Sequence, residues 1–295
     1  MKLYIISLFV TIVSFGSCNE DADPANNKTD FHSMTTDTIN FKNDYSDVNG
    51  IRIYYEIYGK GDTLVLIHGG GSTIQSSFGR IIPELAKAFT LLAIEMQNHG
   101  RSGFRNEPET FEQDADDVIA LLRNLGISNA NFLGFSNGGT TAMLIGHHHP
   151  EMVNKLVLIA PATKRDGFLP GFFDGMQQAT LENMPEGLQK SFLEVNPDSA
   201  QLQIMFEKDR DRMIGFKDWN NEDIKSISAP TLLINGDNDV TTTEHALEMS
   251  RLMTDCKLAI IPGAHGEYIG EVTTLNNKNA YTDATIALIV NFLKD

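Results

Sequence analysis

Cysteine is scarce in this 295-residue chain. Cys18 and Cys256 are the two it has, and no Cys/His cluster carries the spacing of a zinc site. Positive charge is in deficit as well: 23 Lys+Arg stand against 39 Asp+Glu, a formal net charge of -16. That balance argues against nucleic-acid binding and against a peripheral grip on anionic lipid, both of which need clustered cations. A run able to cross a bilayer is missing at the start of the chain, where the apolar stretch 3–15 covers roughly 13 residues and about 20 are required. There is no G-x-G-x-x-G and no G-K-[ST] ending to a glycine loop, so a phosphate-binding loop is not expected. Internal repeats are absent. His147, His148 and His149 come nearest to a metal cluster, but neighbours on a helix point in different directions and cannot share one ion. They read as the exposed end of a helix stopped by Pro150.

The first residues that are informative lie at the N-terminus. Met1-Lys2 is a short positive start, residues 3–15 form an apolar core, and Gly16-Ser17-Cys18 follows. Residues 1–17 therefore read as a signal peptide. The small residues before Cys18 resemble the lipobox of bacterial lipoproteins. The resemblance implies that Cys18 is lipidated and that the protein is exported and lipid-anchored in the bacterial cell envelope, in the periplasm or at the cell surface. Membrane contact would then run only through that anchor, and Cys256 would have no internal disulfide partner. An ordinary secretory signal cleaved nearby is the alternative. Residues 18–38 are polar and acidic and read as a flexible tether.

About 255 residues remain, which suits one α/β domain with an insertion. Asn49-Gly50 is a turn between residues 38–47 and 51–58, which read as a hairpin. Residues 63–67, 90–95, 130–133, 155–160, 231–235 and 257–261 read as further strands, several of them nearly continuous apolar runs expected of strands buried on both faces. Residues 78–88, 111–125 and 283–293 read as helices. Strands alternating with helices imply a mainly parallel sheet flanked by helices, with sites beyond the carboxyl ends of the strands. The core is expected at 39–160 and 229–295. Residues 161–228 hold no obvious buried strand but many Phe, Met and Leu, and read as an inserted helical cap, a few of whose apolar residues would line a pocket.

The stretch that organises the chain is Gly134-Phe135-Ser136-Asn137-Gly138, a G-x-S-x-G pattern between a strand and a helix. A sharp turn there raises a serine hydroxyl above the sheet edge, and small residues on either side leave room for it. A serine needs a base, and His265 follows the strand 257–261. That base needs a carboxylate to fix its tautomer. Asp239 is preferred over Asp237, because the first Asp after Gly236 is better placed to tighten the turn; Asp166 is a more remote substitute. His68-Gly69-Gly70-Gly71 follows the strand 63–67. Its backbone could present N–H groups from Gly70 or Gly71 to an oxyanion, joined by the N–H of Asn137. His245 reads as a surface residue of a helix beginning near Thr242.

Taken together these motifs resemble the α/β-hydrolase superfamily in the branch with a cap, over about residues 45–295. The order Ser136, Asp239, His265 matches the order of its nucleophile, acid and base. Asn98-His99-Gly100-Arg101-Ser102 is similar to its G-H-G-x-S loop, a pocket-floor element from which no chemistry is expected of His99. The resemblance implies a small-molecule ester or acyl substrate, cleaved by acyl transfer without metal or cofactor. A carboxylic ester is the leading expectation, with a C–C bond hydrolase, an amidase or an inactive surface-anchored binding protein as alternatives. A serine nucleophile argues against haloalkane dehalogenase or epoxide hydrolase chemistry, which needs a carboxylate nucleophile.

Overall fold

The computed structural model describes residues 40–275 and 281–295. The leader at 1–17, Cys18 and the tether to residue 38 lie outside the described residues. The described chain opens with β1 (Phe41–Val48) and β2 (Ile51–Gly59), antiparallel and joined at Asn49-Gly50. Both turn residues have positive φ, 44° and 89°, the backbone that a two-residue hairpin matched to strand twist requires. There follow β3 (Thr63–Ile67), α1 (Ile74–Phe78), α2 (Ile82–Leu85), β4 (Thr90–Ile94), α3 (Phe111–Asn124), β5 (Ala130–Phe135), α4 (Asn137–His148) and β6 (Val153–Ile159). Four helices come next: α5 (Phe172–Gln178), α6 (Glu186–Val195), α7 (Ser199–Ile214) and α8 (Asn221–Lys225). The chain closes with β7 (Thr231–Asn238), α9 (Thr243–Leu252), β8 (Cys256–Ala264) and α10 (Thr282–Lys294).

The sheet order is β1-β2-β4-β3-β5-β6-β7-β8. From β4 to β8 every pairing is parallel, so the expected mainly parallel sheet is present. Side chains alternate across it. Val65, Ile67, Phe132 and Leu158 face α3 and α4 and pack with Val118, Leu122 and Met143. Leu64, Leu66, Leu133 and Val157 face the other way and pack with Phe78, Leu85, Ile289 and Phe292. Each such Leu, Ile or Phe contributes roughly 1.5–3 kcal/mol relative to exposure, which explains why these strands are uninterrupted apolar runs. Among the described residues no helix is long and apolar enough to cross a membrane.

Several expectations are corrected. The helix read at 78–88 begins earlier and is broken in two. Thr73 caps α1 through a reciprocal pair of bonds with Ser76, and a proline opens α2. β8 runs on to Ala264 and is an edge strand, with Ile260 40% exposed. His245 is buried at 3% exposure, not at the surface. Its Nε2 accepts the Thr163 N–H at 3.1 Å, and its ring occupies the space that Gly167 leaves by having no Cβ. Of the three histidines ending α4, His148 is exposed while His147 and His149 are half-buried, and His147 Nδ1 meets Ser226 Oγ at 2.5 Å.

Candidate active site

β5 and α4 meet at Ser136, whose φ of 55° and ψ of -120° lie outside the ordinary wells. The turn is possible because glycines surround it. A Cβ on Gly134 would sit 2.1 Å from Gly138 O, and one on Gly138 would sit 2.1 Å from Ile67 O. The serine is anchored by its own N–H, which donates to Ile159 O at 2.8 Å. Asn137 begins α4, so its N–H belongs to the first turn, where no intrahelical acceptor exists and a negative charge is favoured.

Two loops bring partners to that hydroxyl. His265 Nε2 lies 3.0 Å from Ser136 Oγ, and His265 Nδ1 lies 2.5 Å from Asp239 Oδ1. The Nδ1–H therefore donates to the carboxylate, leaving Nε2 free to accept the serine proton. Asp239 is held in turn. Its Oδ1 accepts the Val240 N–H at 2.7 Å, and its Oδ2 accepts the Gly236 N–H at 3.2 Å and the Tyr268 hydroxyl at 3.0 Å. Burial opposes its ionisation, but His265, Tyr268 and Gly236 together hold its pKa below the usual carboxylate value. Burial likewise opposes charge on His265, yet the Asp239 carboxylate prevails and keeps the imidazole pKa above its ordinary value. Asp237 is exposed and accepts the Gly263 N–H at 2.9 Å, tightening the turn. Asp166 is exposed in the short helix Arg165–Gly167 after β6 and makes no bond to His265.

The loop after β3 is fastened from below. His68 Nδ1–H donates to Gly69 O at 2.7 Å and His68 Nε2 accepts the Met96 N–H at 3.0 Å, which fixes a neutral ring. Burial and the neighbouring His99 push its pKa down to about 3. The two glycines proposed for the loop differ. Gly71 N–H is committed to Asp209 Oδ2 at 2.5 Å, whereas Gly70 lies against the start of α4. A Cβ on Gly70 would meet Asn137 Nδ2 at 2.5 Å, so the loop and the start of α4 lie against each other.

A cavity of about 230 Å³ opens at Ser136 and His265. The helices between β6 and β7 supply most of its wall, with Phe168, Phe172, Met176, Leu188, Phe206 and Met213 among the lining residues. Some apolar residues of that segment also pack with one another: Met184, which lines the cavity as well, packs with Phe192, Leu202 and Met205 in a small cluster.

The sequence reading missed the buried charges beneath this cavity. Asp209 and Arg212 on α7 meet His99, Asp114 and Glu109 from the main sheet side, all of them buried. An acid three residues before an arginine on a helix is indistinguishable in sequence from a solvated surface pair. Only the packing of α7 over the His99 loop reveals it. Among the described residues no group of three or more His, Cys, Asp or Glu side chains is arranged to hold a metal ion.

The family model described as alpha/beta hydrolase fold matches residues 62–196. The AB hydrolase superfamily protein YisY of Bacillus subtilis is 26% identical over 251 residues, covering 77% of this chain and 93% of that protein. The dihydrolipoyllysine-residue acetyltransferase component of the acetoin cleaving system of Cupriavidus necator is 32% identical over 136 residues; that match spans 46% of this chain and 36% of that protein. Among solved structures, a serine hydrolase involved in carbazole degradation superposes with a TM-score of 0.71 at 22% identity, covering 86% of this chain and 99% of that one. The family match and the shared architecture support the α/β-hydrolase superfamily, whose fold this chain has.

Proposed function

We propose that the chain is a serine hydrolase that cleaves carboxylic esters through an acyl-enzyme. The observation that carries the reading is the unbroken path from Asp239 through His265 to Ser136, 2.5 Å and 3.0 Å, at the edge of an apolar cavity. His265 takes the Ser136 proton as Oγ attacks the ester carbonyl, and Asp239 stabilises the imidazolium that forms. The N–H groups of Gly70 and Asn137 receive the oxyanion. His265 then protonates the leaving alcohol, a water attacks the acyl-enzyme by the same route, and the acid departs. The segment 161–228 serves as the cap over the acyl group, and Cys18 carries the lipid that tethers the domain to the envelope.

A cavity of about 230 Å³ has room for a short to medium acyl chain. Hydrolysis of p-nitrophenyl esters from acetate to octanoate tests the reading, with Ser136→Ala alongside. The expected result is turnover that peaks near butanoate or hexanoate and disappears in the variant. Turnover that survives Ser136→Ala would overturn the assignment. Absence of both turnover and fluorophosphonate labelling would favour an inactive binding protein on this scaffold. Labelling without turnover would point to an amide or C–C bond.

A further inference from the structure

We propose that Asp209, on α7 of the inserted segment, is a positioning residue that holds the oxyanion loop in its working shape. The inference rests on the reading of Ser136 as the nucleophile. A loop of three consecutive glycines has little intrinsic preference for one conformation. Gly71 adopts a φ of +67°, and its N–H is tied to Asp209 Oδ2, a residue 138 positions further along the chain. Fixing Gly71 in this way turns the preceding peptide and leaves the Gly70 N–H to the developing oxyanion.

Asp209 is itself immobilised from the floor of the site. The same Oδ2 receives His99 Nε2 at 2.8 Å, and Oδ1 receives Arg212 Nη2. Arg212 Nη1 bonds Asp114 Oδ2 at 2.6 Å, and Asp114 Oδ1 accepts Gln97 Nε2 at 2.7 Å. His99 Nδ1 faces Gln97 O at 2.8 Å. Both ring nitrogens of His99 thus face acceptors, a carbonyl and a carboxylate, so both carry protons and the ring is cationic. Burial works against that charge, but the Asp209 carboxylate outweighs it and pushes the His99 pKa up to about 9.

Three observations separate positioning from substrate binding. Asp209 lines the cavity with Ser136 and His265, and a Cβ on Gly70 would lie 3.2 Å from its Oδ2, so the carboxylate abuts the loop. Its oxygens already accept from Gly71, His99 and Arg212, which leaves little capacity for a ligand donor. A bare negative charge beside an oxyanion would oppose the reaction. Here the His99 and Arg212 cations offset Asp209 and Asp114, and the third acid facing Arg212, Glu109, has its pKa pushed up to about 7 by burial and so carries only part of a charge near neutral pH; the loop gains a hydrogen-bond anchor with little repulsive field. The oxyanion site is therefore complete only when α7 is seated on the main domain.

The test compares Asp209→Asn with Asp114→Asn, which disturbs the same buried network but leaves the Gly71 contact in place. Two rates are read: phosphonylation of Ser136 by a fluorophosphonate, and kcat and KM for p-nitrophenyl butyrate. Losing one oxyanion donor lowers kcat by about 10²–10³-fold. Asp209→Asn is expected to lose at least about 30-fold in kcat and in phosphonylation rate, with KM within about threefold. Asp114→Asn is expected to lower the melting temperature comparably while keeping kcat within about threefold. Asp209→Glu keeps the charge but moves the oxygens by one methylene; it serves as a second variant that retains the carboxylate and is expected to lose kcat as well. A folded Asp209 variant with unchanged kcat overturns the inference, as does a rise confined to KM or an equal loss of kcat in Asp114→Asn. A wild-type protein that is not phosphonylated at Ser136 overturns the hydrolase reading itself, and the inference falls with it.

Discussion

At the scale of single residues, the site rests on a few positions where no other side chain fits. Ser136 is held at a φ of 55°, a strained position for a residue with a Cβ, and the neighbouring backbone tolerates it only because Gly134 and Gly138 stand back. Gly134→Ala would drive a Cβ to 2.1 Å from Gly138 O, and backbone cannot yield there as a flexible side chain could. That variant is expected to lose about 3 kcal/mol or more of stability and essentially all activity; an active protein with unchanged urea midpoint would show that the turn is softer than its contacts imply. In the proposed mechanism His265 sets the pH dependence. As a base it must be neutral, so kcat/KM rises with pH as the imidazole loses its proton. Since Asp239 holds that pKa above its ordinary 6.5, the acid limb should have its midpoint above 6.5. Asp239→Asn removes the charge that raises it, so the limb should move to lower pH while kcat drops by roughly 10⁴-fold. A limb below 6.5 in the wild type would contradict the coupling drawn here.

Elements differ in how openly the sequence announces them. β3, β5 and β6 are legible as short apolar runs because helices cover both faces and every position is under the same demand. The Asn49-Gly50 hairpin is legible because both residues tolerate positive φ. Gly50→Ala tests this separately from packing, since nothing lies within 4 Å of the added Cβ. The loss should be the left-handed penalty alone, about 1–2 kcal/mol, with kcat and KM unchanged; a melting temperature equal to the wild type would remove the case for strain at that turn. The break between α1 and α2 was hidden, since the apolar spacing continues through it while Thr73 and a proline set the true starts. His245 was misread because its burial is decided by Gly167 and Thr163, far away in sequence. The Ser136, His265 and Asp239 positions could be picked out because each follows a strand in a recognisable loop. Asp209 could not, because its meaning comes from His99, 110 residues distant, and from a backbone N–H that no side-chain pattern reports.

At the scale of the whole molecule, the buried charges under α7 join the inserted helices to the main domain, and this makes the stability of the fold depend on pH. His99 is 2% exposed, and its pKa in the folded protein is raised to about 9 from 6.5. A raised pKa stabilises the fold fully below the unfolded value and loses that contribution as pH climbs through the folded value. The window is therefore about 6.5 to 9, and at roughly 1.36 kcal/mol per unit the loss is on the order of 3 kcal/mol. His265 also has a raised pKa, and Glu109, pushed up to about 7 by burial beside His99, loses stability as pH rises from 4.5 to 7; both act with the same sign, so the wild-type profile alone does not isolate His99. Cys256, pushed up to about 11 by burial, titrates beyond the window. The informative quantity is the difference between wild type and His99→Asn, which keeps a polar group near Asp209 but cannot carry charge. Melting temperatures measured from pH 6 to 10 should fall more steeply in the wild type than in the variant, and the gap between the two curves should narrow from about pH 6.5 and level off near 9. At pH 6 the variant should be clearly less stable, because Asp209 then keeps only Arg212 and Gly71. Parallel curves would mean that residue 99 is neutral in the folded protein. Arg212 would then be the cation that pairs with the carboxylates between the inserted helices and the main domain.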